Sequence, residues 1–99
     1  MVHNIEIIDK IIADISSAAQ NVKNKPEQEI KDKYEFNYLM KSLKRAEAVR
    51  NSTLFYGDIS LPILLGELKH TAERTIAHNS PLGVHRAAHK ILKITKKYL

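Results

Sequence analysis

The sequence predicts an all-α chain: a small antiparallel four-helix bundle forming one domain over residues 1–99. Three observations lead there. Apolar residues recur at three- and four-residue steps along most of the chain, the period of a helix buried on one face. Glycine and proline number only three each, so turns are few and the elements between them must be long. Hydrophobic residues make up 43% and charged residues 27%, a globular balance in a length that supports one modest core.

The first helix is expected at about 4–23. Asn4 is a suitable N-cap, and Glu6 and Asp9 suit the positive end of the helix dipole. Ile5, Ile8, Ile11, Ile12, Ile15, Ala18, Ala19 and Val22 then share one arc of the wheel. Pro26 fits the first turn of a second helix, expected at about 26–50, with Asn24 and Glu27 spaced as a capping pair. Its apolar residues fall in two sets. Ile30, Tyr34 and Tyr38 lie on one side, and Phe36, Leu39, Met40, Leu43 and Ala46 on another, so this helix either kinks near residues 33–37 or touches two neighbours.

Asn51 can end the second helix, or it can continue to Tyr56 with Gly57 as a left-handed cap. Leu54-Phe55-Tyr56 reads either as core or as an exposed aromatic patch. A third helix is expected at about 61–78, opened by Ser60 and Pro62, with Leu61, Leu64, Leu65, Leu68, Ala72 and Ile76 as its stripe. Gly66 inside that stripe suggests the close passage of another helix. Ser80 as cap and Pro81 in the first turn open a fourth helix at about 81–98.

Charge is unevenly distributed. Residues 1–40 carry a net −2 and residues 41–99 a net +7, and no carboxylate side chain follows Glu73. On the last helix His85, Arg86, His89, Lys90, Lys93, Lys96 and Lys97 lie opposite an apolar arc. Lys41, Lys44, Arg45 and Arg50 on the second helix form a second basic group. Such asymmetry suits an anionic partner, and equally suits an acidic first half packed against a basic second half.

Catalytic chemistry finds little support. Without cysteine there is no thiolate, disulfide or cysteine-ligated metal, and no glycine-rich phosphate loop is present. No carboxylate is placed in the interior by the pattern. His85 and His89 have a two-ligand spacing but sit among cations that would repel a metal ion. Glu67-Leu-Lys-His70 is half of a di-iron bundle motif, with no second copy, and reads as a surface pair. Ala88-His89-Lys90-Ile91-Leu92-Lys93 resembles a histidine phosphotransfer segment only in its small residue before the histidine. The lysine comes at +4 and Ile94 follows it, so no role is carried over.

The expectation is therefore a non-enzymatic binding or regulatory protein, without cofactor or metal, in the manner of immunity proteins and small inhibitors. Arg86, Lys90, Lys93, Lys97, His85, His89, Lys41, Lys44 and Arg45 would meet an acidic protein surface. The alternative is non-specific contact with nucleic-acid phosphates through the last helix. Acids interrupt the apolar run at the N-terminus, no stretch reaches membrane-spanning length, and the expected setting is the cytoplasm. A homodimer is compatible with the composition.

Overall fold

A computed structural model describes residues 3–99, with only the backbone described at His3, Leu54 and Tyr56. It contains four long helices: α1 (His3–Lys23), α2 (Ile30–Asn51), α4 (Ser60–Ala77) and α5 (Leu82–Tyr98). A single turn, α3 (Thr53–Tyr56), and a 3₁₀ turn (Gly57–Ile59) join α2 to α4.

The isoleucine period of α1 places Ile8, Ile11, Ile15, Ala19 and Val22 in the interior. Asn4 lies within the helix rather than capping it, because its Nδ2 donates across the molecule to the Asp58 carbonyl, 2.9 Å away. At the other end of α1 the Gln28 Nε2 donates to the Val22 carbonyl at 2.8 Å and more loosely to that of Lys23 at 3.3 Å, satisfying carbonyls the helix leaves open.

That use of Gln28 keeps the link non-helical, so α2 begins at Ile30 and not near Pro26. The capping pair is correspondingly displaced from Asn24/Glu27 to Glu29/Asp32: the Glu29 N–H donates to Asp32 Oδ2 at 2.9 Å. α2 then runs unbroken. Its buried positions are Asp32, Glu35, Leu39, Ser42, Ala46 and Val49, one stripe at alternating three- and four-residue steps. Of the two alternatives, the kink is absent and α2 touches two neighbours, α1 and α5, while Ile30 and Tyr34 are left 71% and 46% exposed.

The α2–α4 link turns at Gly57, whose φ of +56° is one that side-chain-bearing residues rarely adopt. Phe55 is 88% exposed, which places it outside the core, while the side chains of Leu54 and Tyr56 lie outside the described residues. Ser60 is the first residue of α4 and fully buried. Ser80 does not cap α5 but donates from Oγ to the Thr75 carbonyl, leaving Pro81 in the N-cap position.

The closest helix pairs are α1/α2, α2/α5 and α4/α5. Consecutive helices run antiparallel: Asp9 meets Arg50 and Lys25 meets Asp32 across α1/α2, while Asp14 meets Lys97 across α1/α5. α2 and α5, both antiparallel to α1, are therefore parallel to each other, and small residues let this diagonal pair come close. A Cβ on Gly83 would lie 1.9 Å from the Lys31 carbonyl oxygen. Ala46 on α2 and Ala87 and Ala88 on α5 are likewise fully buried. Gly66 has no such role, since a Cβ there would meet nothing within 4 Å, and the close helix passage expected at that glycine occurs at Gly83 instead. The resulting core joins Ile8, Ile11, Ile15, Leu39, Leu64 and Ile91. No helix among the described residues is long and apolar enough to cross a membrane.

Candidate binding face

With α2 and α5 pressed together, the α1/α5 and α2/α4 sides of the bundle close less tightly, and a furrow lies along each.

The α1/α5 furrow is a chain of three hollows. The first, about 380 Å³, is lined by Lys90, Lys93 and Lys97 of α5 and by Asp14, Ser17 and Asn21 of α1. The next, about 410 Å³, shares Asn21 and Lys90 and adds Arg86 and His89. The third, about 570 Å³, reaches the α1–α2 link at Lys25 and Asp32. The basic period of α5 thus places Arg86, His89, Lys90, Lys93 and Lys97 along one seam.

Not all of that charge is free. Asp14 Oδ2 accepts from Lys97 Nζ at 3.2 Å and from the Tyr98 hydroxyl at 2.8 Å, tying the last turn of α5 to α1. The carboxylate raises the lysine's pKa above the ordinary range by hydrogen bonding and charge. Burial, then the bond to Asp14, raises the Tyr98 phenol above its own. Lys90 pairs with Glu35 Oε2, a carboxylate only 2% exposed, as a charge contact without hydrogen-bond geometry. Lys25 Nζ bonds Asp32 Oδ1 at 2.8 Å, and that bond, with the Glu29 N–H, lowers the Asp32 pKa. Arg86, Lys93, Lys96 and His89 have no carboxylate partner among the described residues.

Asp32 and Glu35 are the buried carboxylates that the apolar pattern did not disclose. Their signal is positional: they continue the Leu39, Ser42, Ala46, Val49 stripe toward the N-terminus with the same spacing.

The other candidates lie elsewhere. His85 Nε2 sits 3.0 Å from the His78 carbonyl and faces the Ser80 N–H at 3.4 Å, so this ring braces the α4–α5 link while His89 lines the furrow. Among the described residues no three metal-ligating side chains are grouped. Arg45 grips Glu67 with two hydrogen bonds, Nη2 to Oε1 at 2.6 Å, and the guanidinium lowers the Glu67 pKa. Glu67 is therefore paired across α2/α4 rather than with His70 on its own helix. Lys41 and Lys44 line a hollow of about 560 Å³ between α2 and α5, walled by Tyr34, Tyr38, Met40 and Val84; Lys41 also borders the α2/α4 hollow beside Arg45 and Glu67, and neither lysine shares a hollow with the α5 lysines.

Comparison with protein families, with curated proteins and with solved structures finds no match to this chain.

Proposed function

We propose that this is a small, non-enzymatic binding or regulatory protein that docks the α1/α5 furrow onto an acidic patch of a protein partner in the cytoplasm. One observation carries the reading. Lys93 and Arg86, two turns apart on α5, are exposed and in no ion pair among the described residues; Lys93 has only the already engaged Asp14 in its hollow, while Glu27, Glu29, Asp32 and Glu35 line those of Arg86. Cations already surrounded by fixed carboxylates have little attraction left for a partner, whereas Lys93 keeps most of its own. The absence of cysteine suits a reducing compartment. The Lys93–Lys97 end offers a positive potential with one carboxylate, Asp14, to offset it. The two buried carboxylates, Asp32 and Glu35, are engaged by Lys25 and Lys90 in holding α2.

The test is charge reversal, Arg86→Glu with Lys93→Glu, in the intact protein. Both side chains are exposed, so the fold should be retained, with stability changed by less than about 1 kcal/mol per site. Affinity capture from the source cell's extract should retain an acidic protein on the wild type and lose it on the double variant. Capture that nuclease removes would replace the protein reading with a phosphate-binding one. Unchanged capture by a folded double variant would take the α5 face out of the account.

A further inference from the structure

The N-terminal half of α2 has its polarity reversed. Its inward face carries Asp32 and Glu35, 1% and 2% exposed, while Ile30 and Tyr34 face outward at 71% and 46%. Folding alone favours the opposite arrangement, because a buried carboxylate must be compensated by a partner and an exposed isoleucine forgoes burial. Here Lys25 and Lys90 supply that compensation, which holds the apolar side chains at the surface.

Those side chains begin a stripe. Ile30, Tyr34, Tyr38 and Lys41 succeed one another on one face of α2, and Tyr34, Tyr38 and Met40 wall a furrow of about 560 Å³ closed on the far side by Val84 of α5. From Ile30 to Lys44 the stripe is about 21 Å long at helical rise, the length of a four-turn helix. No carboxylate lines this furrow, and Lys41 and Lys44 at its upper end have no ion-pair partner among the described residues.

We infer that the Tyr34–Tyr38–Val84 furrow is a second docking surface, and that it takes an acidic amphipathic helix of a partner protein. Apolar side chains of that helix insert beside Tyr34 and Tyr38, and its carboxylates meet Lys41 and Lys44. The aromatic walls supply contact area at low conformational cost, and the two free ammonium groups set the sign of the ligand. A neutral or basic helix would leave both lysines facing apolar or like-charged groups. This surface shares no residue with the α5 face and does not depend on it.

The experiment uses the full chain and a fluorescein-labelled designed peptide with leucine and phenylalanine on one helical face and glutamate on the other. Controls are a scrambled peptide of the same composition and a version with lysine replacing glutamate. Anisotropy should show saturable binding of the designed peptide alone, with amide chemical-shift changes centred on Tyr34, Tyr38 and Val84. Tyr34→Ala, and separately Lys41→Glu with Lys44→Glu, should each weaken it by about tenfold or more. Ile30→Ser, at a largely exposed position, gives a second apolar variant whose fold is not at risk, and it should weaken binding less. The Arg86→Glu/Lys93→Glu protein should bind the peptide as the wild type does, which separates this surface from the α5 face. Equal binding of the scrambled peptide, displacement by a DNA duplex with the same lysine dependence, or indifference to both Tyr34→Ala and Ile30→Ser would each overturn the inference. So would self-association that Tyr34→Ala abolishes, since the occupant would then be a second copy of this chain.

Discussion

The two furrows use the same residue type in different ways. Along α1/α5, Lys90 and Lys97 are held by Glu35 and Asp14, and at its end Lys25 is held by Asp32, so most of the cations there serve as struts between helices. On α2, Arg45 is clamped by Glu67 of α4, while Lys41 and Lys44 stand beside Tyr34 and Tyr38 with no ion-pair partner among the described residues. Counting positive charge in the sequence therefore overstates what the α5 seam can offer a partner, because three of its cations are already engaged inside the bundle. What decides is the number of carboxylates within reach, and that is a property of the packing.

The strongest way to break this contrast is at the point that creates both seams. Gly83→Ala would force a Cβ into the Lys31 carbonyl and drive α5 from α2. Its expected cost is about 3 kcal/mol, the upper part of the overpacking range, because the obstacle is backbone and cannot rotate away. Urea denaturation measures it, with Gly66→Ala as comparator: nothing crowds that site, so the exchange should stabilise by up to about 1 kcal/mol. A Gly83→Ala protein of unchanged stability would mean that the close approach does not define the bundle.

A smaller effect sharpens the contrast between struts and free lysines. Lys90→Met leaves Glu35 buried without its cation and should cost about 2–3 kcal/mol, less than a fully enclosed pair because Lys90 itself is 43% exposed. Adding Glu35→Met should recover most of the loss. Lys41→Met should change stability by less than about 0.5 kcal/mol. A double-mutant cycle reads the coupling directly, and equal costs at Lys90 and Lys41 would remove the distinction.

The smallest effect concerns pH. Asp32 has its pKa lowered in the folded chain, first by the Lys25 hydrogen bond and then by the Glu29 N–H. A carboxyl depressed by folding contributes stability that is present above its unfolded pKa and lost as pH falls through the folded one. The melting temperature should therefore decline on acidification below the ordinary carboxylate range, and Asp32→Asn should make that acid limb shallower. An acid limb identical in the variant would show that other carboxylates carry it.

Much of this architecture was legible in the sequence. The isoleucines of α1 and the leucines of α4 mark their buried faces by period alone, and the basic face of α5 follows from the same wheel. The structure departs from that reading at the start of α2, where hydropathy is the wrong guide. Ile30 and Tyr34 look like core and are exposed; Asp32 and Glu35 look like surface and are buried. Their partners, Lys25 and Lys90, come from the preceding link and from the last helix, and nothing local announces the latter. The same holds for the binding faces. The basic residues can be counted in sequence, but Lys97 meets a carboxylate 83 residues away, a pairing only the fold creates. Gly83 and Gly66 make the point for backbone: both lie within helices, and only their surroundings tell the spacer from the bystander.

The parallel contact of α2 with α5 also bears on how the chain assembles. The α1/α2 and α4/α5 pairs are each joined by a short link and can form as local hairpins. Gly83 and Lys31, by contrast, are separated by more than half of the chain. Closing a loop of that length carries an entropic cost that local pairing avoids, and the buried α2/α5 contact is the largest one between the two hairpins to offset it. Loop-closure entropy alone thus favours two local hairpins before the long-range seam, and Gly83 stands where they meet.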